Sequence, residues 1–392
     1  MENNIYTEYL IELCKSVTEN RDPQPIPEDI DCMKFFEFCV AHKLENIAYS
    51  ALQRLGDTPM EKKVWEIFGE KYQQGILNDA AQHYYLDMVT DAFNKNNINF
   101  VVMKGMVMKN FYPSSDLRQC ADMDIFVGPQ NALRAKEIME SLGFENHTFG
   151  SDISTDNYSV DKFSYVELHK KFISDEQIVW RDVCNKISER FIHKKGCEYV
   201  MSDEDFYLFM ICHIAKHMKF GGVGIRAVLD VWVYLRQKKE MDFKYIDKEL
   251  EKCGLSLFYG KCMKLYSFWF DSGECDEETR IISEYVAQSG WDGVSLQWRA
   301  SGINTIAGET ENRTYLKFMT LFKSAFLKKS AMEAKYPVLK RHPVFLPLCW
   351  IHRGIAAVIG KRDTIKRVAH QYEDIDLSAS RKINEMRSSM GL

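Results

Sequence analysis

The spacing of hydrophobic residues changes twice along this chain, and these changes constrain its fold more than any other feature. Residues 61–93 carry apolar side chains at helical spacing and contain no proline. After a polar turn at residues 94–97, short apolar runs typical of strands occupy residues 98–103, 122–127 and 163–172. From about residue 180 the helical spacing returns. The pattern predicts a small α/β unit at residues 96–180, between helical regions at residues 1–95 and 181–392.

Local signals predict where several helices begin and end. A helix at residues 131–142 is expected to stop at Gly143, because glycine is favoured just after a helix C-terminus. Ser202 and Asp205 resemble the capping box of a helix that extends to about residue 217. The glycines at 221, 222 and 224 interrupt the chain before a helix at residues 225–236. The lysine-rich residues 323–335 predict a solvated helix face.

The composition is that of an ordinary globular protein. Hydrophobic residues make up 46% and charged residues 27%, which allows a sizeable core, and the net charge of −5 gives no strong signal for nucleic-acid binding. The eleven cysteines lack a CxxC pair, so they predict neither a disulfide framework nor a four-cysteine zinc site. No signal peptide and no run of about 20 apolar residues is present. We therefore expect no membrane span and a cytoplasmic location.

The strand-type run at residues 122–127 carries the clearest chemical pattern. Alternate side chains of a strand share a face, so Asp122 and Asp124 lie on one side while Met123 points to the core. Two carboxylates this close repel each other unless a cation lies between them, and hard divalent cations prefer oxygen ligands. Glu167 supplies a third acid in another strand, with His169 on its face, and three carboxylates can hold two metal ions. The alternative is a surface strand with solvated aspartates.

The helix predicted after Ser202 carries a second group of polar residues. His213, Lys216 and His217 lie at positions i, i+3 and i+4, so they share one face of that helix. The histidine spacing is also found in zinc sites, but the glutamate of an HExxH metalloprotease is missing. Two interpretations stay open: packed core histidines, or a face directed at a nucleotide or substrate.

These residues follow one another in an order that resembles a known family. The ordered set consists of Lys104-Gly105, Tyr112-Pro113, Arg118, Asp122-Met123-Asp124, Val166-Glu167-Leu168-His169, His213 to His217, and Arg226 to Asp230. Together they resemble the uncharacterised nucleotidyltransferase family of bacteria, a branch of the DNA-polymerase-β-like nucleotidyltransferase superfamily. The resemblance covers roughly residues 35–240.

The resemblance implies an α+β fold, in which a small mixed β-sheet nucleotidyltransferase core is flanked by helical regions. It implies that Asp122, Asp124 and Glu167 are the catalytic residues and bind Mg²⁺ or Mn²⁺. The glycine turn after the first strand would approach the nucleotide phosphates, although Lys104-Gly105 stands where the superfamily usually has Gly-Ser. The expected nucleotide-binding residues are Lys104, Gly105, Arg118, His169, His213, Lys216, His217, Arg226 and Asp230.

The implied reaction moves a nucleoside monophosphate from an NTP, most simply ATP, to an unidentified acceptor with release of pyrophosphate. One alternative is a nucleotide-binding or regulatory module whose active site has degenerated, which the altered glycine turn favours. Another is a glycosyltransferase with a DxD metal site, but such enzymes usually have strands and helices before the DxD, whereas residues 1–95 have helical spacing.

Overall fold

The computed structural model describes residues 2–56, 60–148, 154–173, 178–290, 338–360 and 377–392, together with the isolated residues 326, 329, 332 and 336. The chain divides into two compact units. One comprises Met1–Gly293 and Ser389–Leu392, and the other comprises Val294–Ser388. The predicted functional residues all belong to the first unit. The predicted domain boundaries at residues 95 and 180 stay a prediction.

The first unit begins with four α-helices, as the spacing of its apolar residues predicts. They are α1 (Glu2–Thr18), α2 (Cys32–Ala41), α3 (Glu45–Leu52) and α4 (Lys62–Lys95), with a short 3-10 helix at Gln53–Leu55. Helix α2 begins at Cys32 because the carboxylate of Asp31 accepts hydrogen bonds from the backbone N–H groups of Met33 and Lys34. Helix α4 is 34 residues long and runs without interruption to the turn before the first strand.

Seven strands form one mixed sheet in this unit. They are β1 (Phe100–Val102), β2 (Met123–Phe126), β3 (Glu145–Thr148), β4 (Thr155–Ser159), β5 (Val166–His169), β6 (Ile192–Lys195) and β7 (Glu198–Val200). Their order across the sheet is β3-β4-β5-β2-β1-β7-β6. Strands β2 and β5 are parallel, as are β1 and β7, and the other neighbours are antiparallel. The expected α+β fold with a mixed sheet is confirmed.

Four of the seven strands were not predicted from the sequence. Strands β6 and β7 extend the sheet into residues where helical spacing was expected, and β3 and β4 form a hairpin on the opposite edge. All four side chains of β6 are exposed, and those of β3 are exposed or half-buried. The two edge strands, β3 and β6, therefore lack the alternation of buried and exposed residues on which strand prediction depends.

The remaining helices of the first unit surround the sheet. They are α5 (Lys104–Met108), α6 (Ala132–Ser141), α7 (Arg181–Asn185), α8 (Asp203–Phe220), α9 (Ile225–Gln237), α10 (Phe243–Cys253), α11 (Ser256–Phe270) and α12 (Glu277–Ser289), with 3-10 turns at Lys109–Phe111, Ser115–Leu117 and Lys186–Arg190. Two predicted helix ends are confirmed. Ser202 Oγ accepts a hydrogen bond from the backbone N–H of Asp205 at the start of α8, and Gly143 has a φ of +87° just after α6.

The two faces of the central strands have opposite character. Met123, Ile125 and Leu168 point into a buried core that also contains Val89 of α4 and Met139 of α6. The acidic side chains therefore lie on the other face. Helix α8 covers part of that face through a row of aromatic rings. The centroid of the Phe172 ring lies 5.0 Å from that of Phe126 in β2 and 4.9 Å from that of Phe209 in α8.

His42 connects the N-terminal helices to those that follow the sheet. Its Nδ1 accepts a hydrogen bond from the backbone N–H of Ile225 at the start of α9, and its Nε2 lies 3.0 Å from the carbonyl oxygen of Ala287 in α12. Burial lowers the pKa of His42 to about 4, so the ring is neutral near pH 7. A neutral ring with one donor and one acceptor matches these two partners and fixes where α9 begins.

The second unit contains α13 (Val338–Arg341), a 3-10 turn at Pro343–Phe345, α14 (Leu346–Gly360) and nearly all of α15 (Leu377–Ser389). Its buried residues Met332, Leu339 and Cys349 pack with Tyr336 and Trp350. Most of the lysine-rich residues 323–335 lie outside the described residues. In the part of the chain that the structure describes, no helix is long and apolar enough to cross a membrane.

Close packing between α3 and α4 predicts opposite effects for two glycine-to-alanine substitutions. A Cβ at Gly75 would lie 2.3 Å from Asn46 Nδ2, and Asn46 is held by hydrogen bonds to Asp116 and Gln119. We expect Gly75→Ala to lower the free energy of unfolding by about 1–3 kcal/mol, because the overpacked side chain has little room to move. Urea unfolding followed by circular dichroism measures the change.

Gly260→Ala is the matched control, because Gly260 also lies inside a helix but has open space beside it. Outside its own helix, no atom of the described residues lies within 4 Å of the place that an added methyl group would take. We expect this substitution to raise the free energy of unfolding by about 0.5–1 kcal/mol through the higher helix propensity of alanine. Equal effects of the two substitutions would contradict this account of the packing at Gly75.

Candidate active site

The acidic side chains meet where β2 pairs with β5. Asp124 is opposite Glu167 in the parallel register, and Phe126 is opposite His169. The backbone of β2 is fixed on its other side by β1, since the N–H of Met103 donates a hydrogen bond to the carbonyl oxygen of Asp124. Both neighbouring strands therefore hold Asp124 at the centre of the sheet.

Three side chains converge around the Asp124 carboxylate. Lys104 Nζ and His169 Nε2 each lie 2.6 Å from Asp124 Oδ1, and His169 Nε2 lies 3.5 Å from Glu167 Oε2. The side chains of Asp124 and His169 are 1% and 7% exposed, whereas that of Glu167 is 22% exposed. Asp124 and His169 thus form the buried part of the cluster, and Glu167 forms its accessible acidic edge.

The ligand atoms of Asp124, Glu167 and His169 lie within 4.8 Å of one another. This is the only group of three or more acidic, histidine or cysteine side chains that fits a metal ion among the described residues. It contains two of the three predicted metal ligands. His169, which was expected to contact the nucleotide, completes the group, and Asp122 as a metal ligand stays a prediction.

Asp122, just before β2, and Asp124, within it, have opposite electrostatic environments. Burial alone would raise the pKa of Asp124, but the charge of Lys104 and the hydrogen bond from His169 outweigh it, so that the pKa is lowered. The pKa of Asp122 is raised to about 6, first by burial and then by the charge of Asp124, in spite of Lys104. Lys104 and His169 therefore stabilise the carboxylate of Asp124, whereas the carboxylate of Asp122 is destabilised.

The turn after β1 brings Lys104 to this cluster. Lys104 has a φ of +47°, an uncommon conformation for a residue other than glycine. The next residue lies against the loop before β2, since a Cβ at Gly105 would lie 2.7 Å from Cys120 Cβ and 3.1 Å from Arg118 Nη1. Only glycine fits at position 105 without a shift of that loop. The pKa of Lys104 is raised, because Asp124, Asp122 and Glu167 together outweigh the effect of burial.

Arg118 and Asp230 form a buried ion pair behind the turn. The guanidinium donates two hydrogen bonds to the carboxylate, at 3.2 Å from Nε and 2.7 Å from Nη2, and Tyr112 donates a third at 2.7 Å. Arg118 and Arg226 also both donate to the carbonyl oxygen of Gln119. These contacts attach α9 to the loop that leads into β2, and they occupy the planar fork of Arg118.

The predicted polar face of α8 lies over the cluster. Burial lowers the pKa of Lys216, and the next largest effects come from the charges of Lys104 and Glu167. The rings of His213 and His217 are 4.4 Å apart, and burial lowers the pKa of both, to about 3 for His217. Both histidines are neutral near pH 7, and they are not part of the metal-compatible group.

The sequence did not indicate several residues that support the cluster. Thr155 Oγ1 lies 3.4 Å from His169 Nδ1, but it belongs to β4, which was not predicted. Tyr112 was noted only as part of the resemblance, and its bond to Asp230 spans 118 residues. Gln82 of α4 donates to the carbonyl oxygen of Cys120 at 3.0 Å. No local signal predicts such distant partners.

The raised pKa of Asp122 predicts that Asp122→Asn increases stability in the absence of metal. A carboxyl whose pKa is higher in the folded protein than in the unfolded chain stabilises the fold at low pH. That contribution is lost as the pH rises from about 4 through about 6. We expect the variant to gain about 3 kcal/mol at pH 7 over the wild type, since the pKa rises from 3.8 to about 6 and a difference of 1 in pKa corresponds to about 1.4 kcal/mol.

Urea unfolding in EDTA at pH 4 and pH 7 measures this difference. The gain should be present at pH 7 and absent at pH 4. A solvated surface aspartate would give the same stability for wild type and variant at both pH values.

Comparison with known proteins agrees with the geometry of this site. Residues 28–271 match the model of a family described as uncharacterised nucleotidyltransferase. The matched region includes every side chain of the cluster and the covering face of α8. No curated protein and no solved structure gave a significant match. Since the match spans more than half of the 392 residues, the chain belongs to the uncharacterised nucleotidyltransferase family and is a transferase enzyme of that class.

Proposed function

We propose that this protein transfers a nucleoside monophosphate from an NTP to an acceptor and releases pyrophosphate in a reaction that depends on a divalent cation. The observation that carries the proposal is the group formed by Asp124, Glu167 and His169, next to the glycine turn at Lys104-Gly105. A divalent cation held by such ligands can orient and neutralise the oxygens of a phosphoryl-type displacement.

The residues of this group fit Mg²⁺ or Mn²⁺. Asp124 and Glu167 face each other in register on neighbouring strands, and an ammonium group already lies 2.6 Å from Asp124. A cation is therefore favoured at this position. Asp122, whose carboxylate is destabilised, would be relieved by a second positive charge. When bound, the cation supplies charge neutralisation of the triphosphate and lowers the pKa of an acceptor hydroxyl.

The order of the central strands suggests where each substrate binds. Lys104-Gly105 follows β1, Asp122 and Asp124 lie just before and within β2, and Glu167 belongs to β5 on the far side of β2. We assign the triphosphate to the β1 side, where Lys104 and Gly105 approach its phosphates. The acceptor then enters from the β5 side, where the half-buried Glu167 accepts its proton or helps to hold the cation.

Helix α8 supplies the groups that face the sheet across this site. Lys216 is the cationic group of its polar face and contacts phosphate oxygens in the proposed complex. His213 and His217 are neutral, so each offers one N–H donor without adding charge. Together with Lys104 they surround the anionic substrate with donors.

We propose a different role for Arg118, Asp230 and Arg226. The guanidinium fork of Arg118 is filled by Asp230, and Arg226 donates to the backbone at Gln119. We therefore assign these three residues to positioning. They hold the loop before β2 against Gly105 and so set the distance between the phosphate-binding turn and the aspartates.

A second function is a nucleotide-binding module without turnover. It is favoured by the ion pair between Lys104 and Asp124, which satisfies the aspartate without a metal ion. In that case the protein binds an NTP but does not release pyrophosphate.

A DxD glycosyltransferase would instead consume a nucleotide sugar. ATP is the NTP with which the tests should begin.

Asp124→Asn is expected to abolish metal-dependent turnover. With the NTP panel and Mg²⁺ or Mn²⁺, pyrophosphate release should fall at least about a thousandfold, because loss of the cation removes several kcal/mol of transition-state stabilisation. Glu167→Gln, which changes a more exposed side chain, should have the same effect with less risk to folding.

Asp87→Asn is the matched control, since this exposed carboxylate of α4 lies outside the cluster. Pyrophosphate release by the Asp122→Ala/Asp124→Ala double variant would refute the assignment. NTP binding by the wild type without any pyrophosphate release would favour the module.

Lys216→Met is expected to weaken nucleotide binding. The Kd of the metal–NTP complex should rise by about tenfold or more, because hydrogen bonds to charged groups are worth about 1.5–3 kcal/mol. Lys219→Met serves as the control, because Lys219 lies on the same helix but its ammonium is directed to the Trp180 ring at 5.7 Å. Equal effects on Kd, measured by calorimetry, would contradict the assignment of Lys216.

A further inference from the structure

His169 introduces a nitrogen atom into a group of carboxylate ligands. Its Nε2 lies 2.6 Å from Asp124 Oδ1 and 3.5 Å from Glu167 Oε2, so the nitrogen is directed at the position between the two carboxylates. Its side chain is only 7% exposed, and its strand is paired on both sides, with β2 and with β4. The ring is therefore held at the point where the proposed cation binds.

We propose that His169 is a direct ligand of the divalent cation through Nε2, and that this nitrogen makes the site select Mn²⁺ over Mg²⁺. The inference rests on the cation site proposed above and adds the identity of a ligand and of the metal. Mg²⁺ requires oxygen ligands in near-ideal octahedral geometry, whereas imidazole is a good ligand for first-row transition metals. Mn²⁺ accepts both carboxylate oxygen and imidazole nitrogen, which matches this mixed set.

The surroundings of the ring allow the change that coordination requires. In the structure Nε2 carries a proton, because the Asp124 carboxylate only accepts hydrogen bonds. A metal ion needs the lone pair of Nε2, so the neutral ring must then carry its proton on Nδ1. Thr155 Oγ1 lies 3.4 Å from Nδ1, and a hydroxyl both donates and accepts. Thr155 can therefore serve either tautomer, as the outer partner of a metal-bound histidine does.

Lys104 and His169 both contact the same oxygen of Asp124, but they differ in mobility. The side chain of Lys104 is 20% exposed and has four rotatable bonds, so it can turn away from Asp124 toward a phosphate. The His169 ring is buried and paired with Thr155, so it stays. The residue that remains beside Asp124 when a cation binds is thus His169, and it becomes a ligand.

Pulsed electron paramagnetic resonance of the Mn²⁺-loaded full-length protein tests this inference. Electron spin echo modulation should show a directly bound ¹⁴N nucleus in the wild type, and protein labelled with ¹⁵N-histidine should show the ¹⁵N pattern instead. In His169→Gln the nitrogen coupling should disappear while Mn²⁺ still binds. The control His147→Gln changes an exposed histidine of β3 and should leave the coupling intact.

Two further measurements keep the test decisive if His169→Gln folds poorly. The double variant His213→Gln/His217→Gln removes the histidines of α8 that face the cluster and should retain the coupling. In His169→Asp, which offers oxygen only, the ratio of Mg²⁺ Kd to Mn²⁺ Kd should fall by about tenfold or more, since even outer-shell changes alter metal affinity by about 10–100-fold.

The outcomes separate this inference from the proposed function. Bound Mn²⁺ without nitrogen coupling would overturn the role of His169 and leave the carboxylate site standing. Coupling that persists in His169→Gln, or disappears in the α8 double variant, would assign the nitrogen to another histidine and equally overturn it. A wild type that binds neither Mn²⁺ nor Mg²⁺, even with an NTP, would refute the cation site itself.

Discussion

The buried carboxylate of Asp124 is the constraint on which the rest of the site depends. A charge with 1% exposure in the middle of a sheet is stable only if positive groups compensate for the lost hydration. Lys104 provides a positive charge from the turn after β1, and His169 donates a hydrogen bond to the same carboxylate from the end of β5. The positions of both strands beside β2 are therefore tied to one side chain. Removing a partner of such a buried ion pair typically costs about 3–5 kcal/mol.

A second buried ion pair connects the sheet to the helices. Arg118 and Asp230 are each about one-tenth exposed, and their contact joins residues 112 positions apart. Tyr112 and Arg226 extend this contact to the turn and to Gln119. Because Gly105 lies directly on Arg118 and Cys120, the geometry of the turn at Lys104-Gly105 depends on this helical contact. The helical region after the sheet is thus part of the architecture of the site.

The two ion pairs give the site an uneven charge distribution. The pKa of Asp124 is lowered whereas that of Asp122 is raised, and the side chain of Glu167 is more exposed than that of Asp124. On the opposite side, Lys216 shares a face of α8 with the half-buried His213 and His217, which are neutral near pH 7. The acidic side chains of the sheet thus have Lys216 of α8 as a neighbour. A complex of a divalent cation with a triphosphate carries both signs of charge, so we expect it to complement both the acidic side chains and Lys216.

The sequence by itself determined the fold class, the central strands β1, β2 and β5, and the presence of an acidic face. Hydrophobic alternation and helical spacing are local properties, and α4, α8 and α9 follow them closely. Tertiary structure alone decided that His169 rather than Asp122 completes the tightest ligand group, that Lys104 pairs with Asp124, and that Asp230 occupies Arg118. These outcomes depend on strand register and on contacts across 20 to 112 residues, which local patterns do not encode. The exposed edge strands were missed for a related reason, since their pairing and not their composition makes them strands.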